Sequence, residues 1–140
     1  MLADAKQQVA EQQQIERKHI LAINSSPDFL DVLRELLQDE QFNVTTTNYV
    51  PQTVAMIAAG SPDLLIVDLA VGQQTGWDLL EQVQEDAAAR DVPMIVTSTN
   101  ERFLERAGLQ AKRLGGRTYL LKPFKVATLL KMVHGLVGHA

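Results

Sequence analysis

Cysteine is absent from the 140 residues. That excludes disulfide scaffolds, thiolate zinc sites and cysteine nucleophiles, and it fits a reducing cytoplasm, the expected location. No apolar run approaches the roughly 20 residues of a membrane span. The opening MLADAKQQVAEQQQ lacks the apolar centre of a secretory signal, so no membrane partner is expected. Positive charge is not in excess: the formal net charge is −4, which gives no bulk attraction to nucleic acid. The three histidines, His19, His134 and His139, show neither metal-ligand spacing nor a paired nucleophile, so zinc sites and hydrolase triads have no support.

What is present is 46% apolar residues, enough for one domain with its own core. Residues 1–18 stand apart, with five glutamines, no Gly or Pro, and an apolar stripe too thin to bury. They are read as a polar, helical N-terminal extension: a frayed tail, the end of a linker helix or a weak dimerisation helix. Residues 19–138 form the expected domain. His19–Ile23, Phe42–Tyr49, Leu64–Asp68, Met94–Thr97 and Thr118–Leu121 read as short strands, the second an edge because of Thr45, Thr46 and Thr47. Helical spacing separates them. Ser26 and Pro27 open a helix with the face Phe29, Val32, Leu33, Leu36 and Leu37. Val50, Val54 and Ile57 mark a second, stopped by Gly60, and Leu79, Leu80 and Val83 a third. Phe103, Leu104, Ala107, Ala111 and Leu114 mark a fourth, and Val126, Leu129, Leu130 and Val133 a fifth.

Five strands alternating with five helices imply a parallel sheet covered on both faces, with ligands beyond the carboxyl ends of the strands. Those ends carry Asn24 and Ser25, Asp68, Thr97 and Ser98, and Lys122 and Pro123. A carboxylate there can act as a nucleophile toward phosphorus, a lysine can neutralise a transferred phosphoryl group, and a hydroxyl can hydrogen-bond its oxygens.

Pro62–Asp68 followed eight residues on by Gly76, Pro93–Ser98, Tyr119–Phe124 and Ile20–Leu37 together resemble the ordered segments of bacterial response-regulator receivers, over about residues 19–138. The resemblance implies a flavodoxin-like (βα)5 doubly wound sheet of strand order 2-1-3-4-5. It implies Asp68 as phospho-acceptor, with a histidine kinase or phosphotransfer protein as donor. Lys122 and Ser98 would contact the phosphoryl group, and Ser98 and Tyr119 would form a switch. The Lys122–Pro123 peptide would be cis, and the face of the fourth helix, fifth strand and fifth helix would signal to a downstream protein. Family members usually hold Mg²⁺ with two acids at the end of strand one, the acceptor aspartate and the residue two further on. Here Asn24, Ser25 and Ala70 stand at those positions beside Asp68.

Three carboxylates and one lysine would give the cleft two net negative charges; one carboxylate and one lysine give none. Each lost charge is worth about 4 kcal/mol toward a cation at about 4 Å and an effective dielectric of about 20, before desolvation. Mg²⁺ is therefore expected to bind weakly or not at all, and no organic cofactor is expected. The sequence leaves open an alternative, a degenerate pseudo-receiver held by an Asp68–Lys122 ion pair and acting through protein contacts alone. A flavodoxin-like cofactor binder is a further alternative, but the loop Asn24–Pro27 lacks glycine and aromatics make up only 5%. An aspartate phosphatase would want an acid at Ala70. Direct nucleic-acid binding would need a partner or a longer parent chain. Homodimerisation is open.

Overall fold

In the computed structural model, residues 17–69, 75–106 and 117–138 are described. Their elements alternate: β1 (His19–Ile23), α1 (Pro27–Asp39), β2 (Asn43–Thr47), α2 (Thr53–Gly60), β3 (Leu64–Asp68), α3 (Thr75–Glu85), β4 (Met94–Ser98), α4 (described over 101–106), β5 (Arg117–Leu121) and α5 (Val126–Val137). All five strands pair in parallel in the order β2-β1-β3-β4-β5, the doubly wound flavodoxin-like arrangement. β2 is an edge, as its threonines imply.

Strand alternation sorts the interior into two layers. Leu21, Ile23, Leu65, Val67, Met94 and Val96 meet Ile57 of α2, Leu79, Leu80 and Val83 of α3 and Leu104 of α4. Ile20, Ala22, Leu64, Ile66, Ile95 and Leu120 meet Leu30, Leu33 and Leu37 of α1 and Leu129 and Val133 of α5. Every residue of β3 and β4 is buried, the mark of central strands with helices on both faces.

α1 starts where the sequence places it. The Ser26 side chain accepts from the Phe29 N–H at 3.3 Å, and Pro27 occupies the first turn, where a missing N–H costs nothing. Its buried face is Leu30, Leu33 and Leu37, whereas Val32 is 64% exposed. The expected stripe through Val32 is thus rotated toward Leu30. The second strand is shorter than expected, since Phe42 leaves it to fill the α1/α5 core and Tyr49 turns toward β3. The left-handed residue ending α2 is Ser61 (φ 43°) and not the glycine before it. The fourth helix beyond 106, the extension up to residue 16, Ala70 and His139 lie outside the described residues.

Gly76, in the first turn of α3, abuts the end of β3. A Cβ there would stand 2.9 Å from Leu69 Cδ2 and 3.1 Å from the Asp68 carbonyl oxygen. The carbonyl ends a buried strand and accepts from the Tyr49 hydroxyl, so it cannot retreat cheaply. Gly76→Ala is therefore expected to destabilise the fold by about 1–3 kcal/mol, read by urea unfolding.

Candidate functional site

The carboxyl ends of β1, β3, β4 and β5 converge on Asp68, the buried last residue of β3. Asp68 pairs in register with Thr97. Ile23 pairs with Val67, which carries Asn24 alongside Asp68 one step further on. The Lys122 N–H donates to the Ser98 carbonyl at 2.8 Å, continuing the β4–β5 ladder to the lysine. The Lys122–Pro123 peptide is cis.

Side chains then meet on one oxygen. Lys122 Nζ lies 2.6 Å from Asp68 Oδ1, and the Thr97 hydroxyl donates to the same oxygen at 2.8 Å. Among the described residues nothing bonds to Oδ2. The ion pair is largely sheltered, with side-chain exposures of 21% for Lys122 and 8% for Asp68. The Phe29 ring centroid sits 4.7 Å from Nζ, covering part of the ammonium with an apolar face.

Ser98, expected to face the carboxylate, does not. Its hydroxyl donates to the Leu69 carbonyl at 2.8 Å and accepts from the Asn100 N–H at 3.1 Å. The reason is strand parity: Asp68 and Thr97 are paired and share the α1/α5 face, so Ser98 turns to the other. Tyr119 is paired with Val96, and its half-buried ring packs against the α2/α3/α4 core, on the Ser98 side of the sheet. Ser25 is exposed, whereas Asn24 is only 4% exposed, and its Oδ1 accepts from the Ser26 N–H at 2.9 Å.

Sequence reading missed Tyr49. Its hydroxyl donates to the Asp68 main-chain carbonyl. Burial, with the Asp68 charge adding to it, pushes the phenol well above the ordinary tyrosine range, so it remains a donor. No local pattern marks this residue, because the contact joins the β2–α2 loop to β3. The acid before β3, Asp63, is occupied structurally: its Oδ2 accepts from the His19 N–H at 2.8 Å.

Among the described residues the donor set does not fit a divalent cation. Among the described residues no group of three or more His, Asp or Glu side chains stands together. Asp68 Oδ1 already holds an ammonium, and the neutral oxygen of Asn24 is committed to a backbone N–H. Mg²⁺ requires several hard oxygen donors in near-octahedral array, with carboxylates among them.

A family model described as the response regulator receiver domain matches residues 20–134. An uncharacterised 14.6 kDa protein of Leptolyngbya boryana is 29% identical over 121 residues, covering 86% of this chain and 91% of that protein. Protein PilH of Pseudomonas aeruginosa is 26% identical over 119 residues, covering 85% and 97%. Among solved structures, the receiver domain of a Pseudomonas aeruginosa sensor histidine kinase superposes with a TM-score of 0.73 at 24% identity, covering 87% of this chain and 98% of that one. That protein has a magnesium ion coordinated in its active-site cleft.

Tyr49 yields a pH-dependent outcome. Above about pH 10 an unfolded tyrosine loses its proton while the folded Tyr49 keeps it. The native state then binds more protons than the unfolded one, so stability falls as pH rises past that point. Tyr49→Phe should cost about 1 kcal/mol at pH 7 and flatten the alkaline decline, followed by urea unfolding between pH 8 and 11.

Proposed function

The chain belongs to the response regulator receiver domain family, and on that premise we propose that it is a phosphoryl-accepting switch of a two-component relay, with Asp68 as acceptor. One observation carries this reading: Thr97 and Lys122 both hold Oδ1 of Asp68, leaving Oδ2 without a partner among the described residues. Oδ2 attacks the phosphorus of a phosphohistidine on a kinase or phosphotransfer protein. The new P–O bond forms as the P–N bond breaks, and the electron pair returns to the imidazole nitrogen. The Lys122 ammonium and the Thr97 hydroxyl are placed to meet charge on the transferred group, with no reorganisation of a water shell. Thr97, and not Ser98, takes the role of phosphoryl contact and switch hydroxyl, while Tyr119 lies with Ser98 on the other face of the sheet. The chemistry is confined to Asp68 itself.

The signal is read at the face of α4, β5 and α5 by a downstream protein. Leu121 (44%), Val126 (50%) and Leu136 (37%) are large exposed apolar residues on β5 and α5, which supports a protein-contact role there. A second reading, a pseudo-receiver that works without phosphorylation, is favoured by the formed Asp68–Lys122 pair and by the missing acids. It requires that wild type never exposed to a phosphoryl donor bind the downstream protein.

Phosphotransfer from a cognate kinase, read by intact mass, decides between them. Wild type should gain the mass of one phosphoryl group and Asp68→Asn none. Thr97→Ala should slow transfer by about 10²-fold, as loss of a transition-state donor does, while Ser98→Ala should transfer near the wild-type rate. Absence of the mass increment in wild type would leave the pseudo-receiver reading.

A further inference from the structure

Among the described residues, the Asn24 amide nitrogen is the single buried side-chain polar atom without a hydrogen-bond partner. Buried amides almost always find partners, so such a group points to something it serves. Its orientation is not arbitrary. The Ser26 N–H donates to Oδ1 at 2.9 Å, and turning the amide over would set donor against donor. The NH₂ group is thereby kept on the side away from the Ser26 backbone. Register continues from Ile23–Val67 to set Asn24 beside Asp68, on the sheet face shared by Ala22 and Ile66, with strands about 4.8 Å apart.

We propose that Asn24 takes the place of the divalent cation: its Nδ2 donates to an oxygen of the phosphoryl group on Asp68, and the site holds that group without Mg²⁺. This rests on Asp68 being the acceptor. The charges agree with it. A bound phosphoryl group carries about two negative charges at neutral pH, and Lys122 offsets one. A cleft with two further carboxylates would need a doubly charged cation to return to that same balance. With Asn24 and Ser25 in their place, the balance is reached with no cation. The loss of both acids and the loss of the metal are therefore one change. The phosphoryl oxygens are then met by an amide, a hydroxyl and an ammonium, from Asn24, Thr97 and Lys122. Phe29, whose ring lies 4.7 Å from Nζ, covers one side of the ammonium with carbon.

Beryllofluoride tests this, because beryllium exchanges a water for a carboxylate oxygen to give a tetrahedral phosphoryl analogue. The full chain, stripped of divalent ions, is titrated with beryllofluoride with and without Mg²⁺, and bound fluoride is read by ¹⁹F NMR. Wild type should bind in the absence of Mg²⁺ and gain nothing from its addition. Asn24→Ala should lose roughly tenfold to a hundredfold in metal-free affinity, the loss of one hydrogen bond to a charged group. Asn24→Asp, nearly isosteric, should bind only when Mg²⁺ is supplied, which keeps the comparison available if Asn24→Ala fails to fold. Wild-type binding that requires Mg²⁺, or metal-free binding by either variant equal to wild type, overturns the inference and leaves Asp68 as acceptor. No bound signal from wild type under any condition overturns both.

Discussion

The cleft exists because five short strands pair in parallel without a slip. A parallel sheet gives adjacent residues opposite faces, so the pairing of Asp68 with Thr97 decides that these two side chains meet. A displacement of one residue in β4 would offer Ser98 to the carboxylate. It would also turn Ile95 and Val96 into each other's cores. Both are fully buried, in opposite layers, so the slipped register would exchange side chains of different shape between two close-packed cores and is disfavoured by misfit. The hydrophobic pattern thus fixes the site's chemistry, although none of its residues takes part in it.

The Asp68–Lys122 pair is the electrostatic counterpart of that constraint. Its Coulombic gain is offset by the cost of withdrawing both groups from water, so the net contribution to stability is small. Removing one partner is a different matter, because the other is left sheltered and unpaired at about 3–5 kcal/mol. Thr97 contributes a second donor to the carboxylate, and Phe29 a ring face to the ammonium. The pair is a positioning device: it holds one carboxylate oxygen and, among the described residues, leaves the other without a partner.

Most of the fold was legible because it rests on short-range signals. Ser26-Pro27 announces α1, the threonines announce an edge, and continuous apolar runs announce central strands. The strand-end set Asn24, Asp68 and Lys122 followed from topology, with Lys122 against Asp68 in the structure and Asn24 beside it in register. The misplaced hydroxyl is instructive, since parity could have found it. Leu64, Ile66 and Asp68 share a face, as do Ile95 and Thr97, and only the pairing of Asp68 with Thr97 was missing. The rotation of α1 toward Leu30 was not legible, because Leu30 and Val32 suit a helical stripe equally until the sheet beneath is placed. Ser61 in the left-handed region defied the expectation of glycine at a helix end. Tyr49 joins residues 19 apart in sequence through one hydroxyl, and no periodicity records such a contact.

The main chain of Asp68 is held more firmly than its side chain. Its carbonyl accepts from Tyr49 and is approached by Gly76, and the next N–H, of Leu69, donates to the Thr97 carbonyl at 2.7 Å. The Leu69 carbonyl in turn accepts from Ser98. Four contacts from the β2–α2 loop, α3 and β4 therefore immobilise two peptide units, while among the described residues Oδ2 has no partner. A group added to such a carboxylate cannot relax by moving β3. Its charge has to be answered by side chains that can move, and Thr97 and Lys122 are the two already bonded to the carboxylate. Both lead to β4 and β5, Thr97 within β4 and Lys122 immediately after β5, next to the exposed Leu121 and the helix α5. On the proposed reading, the rigidity behind Asp68 and the reach of Thr97 and Lys122 give the signal a direction, out along the β4–β5 edge and away from β1 and β2.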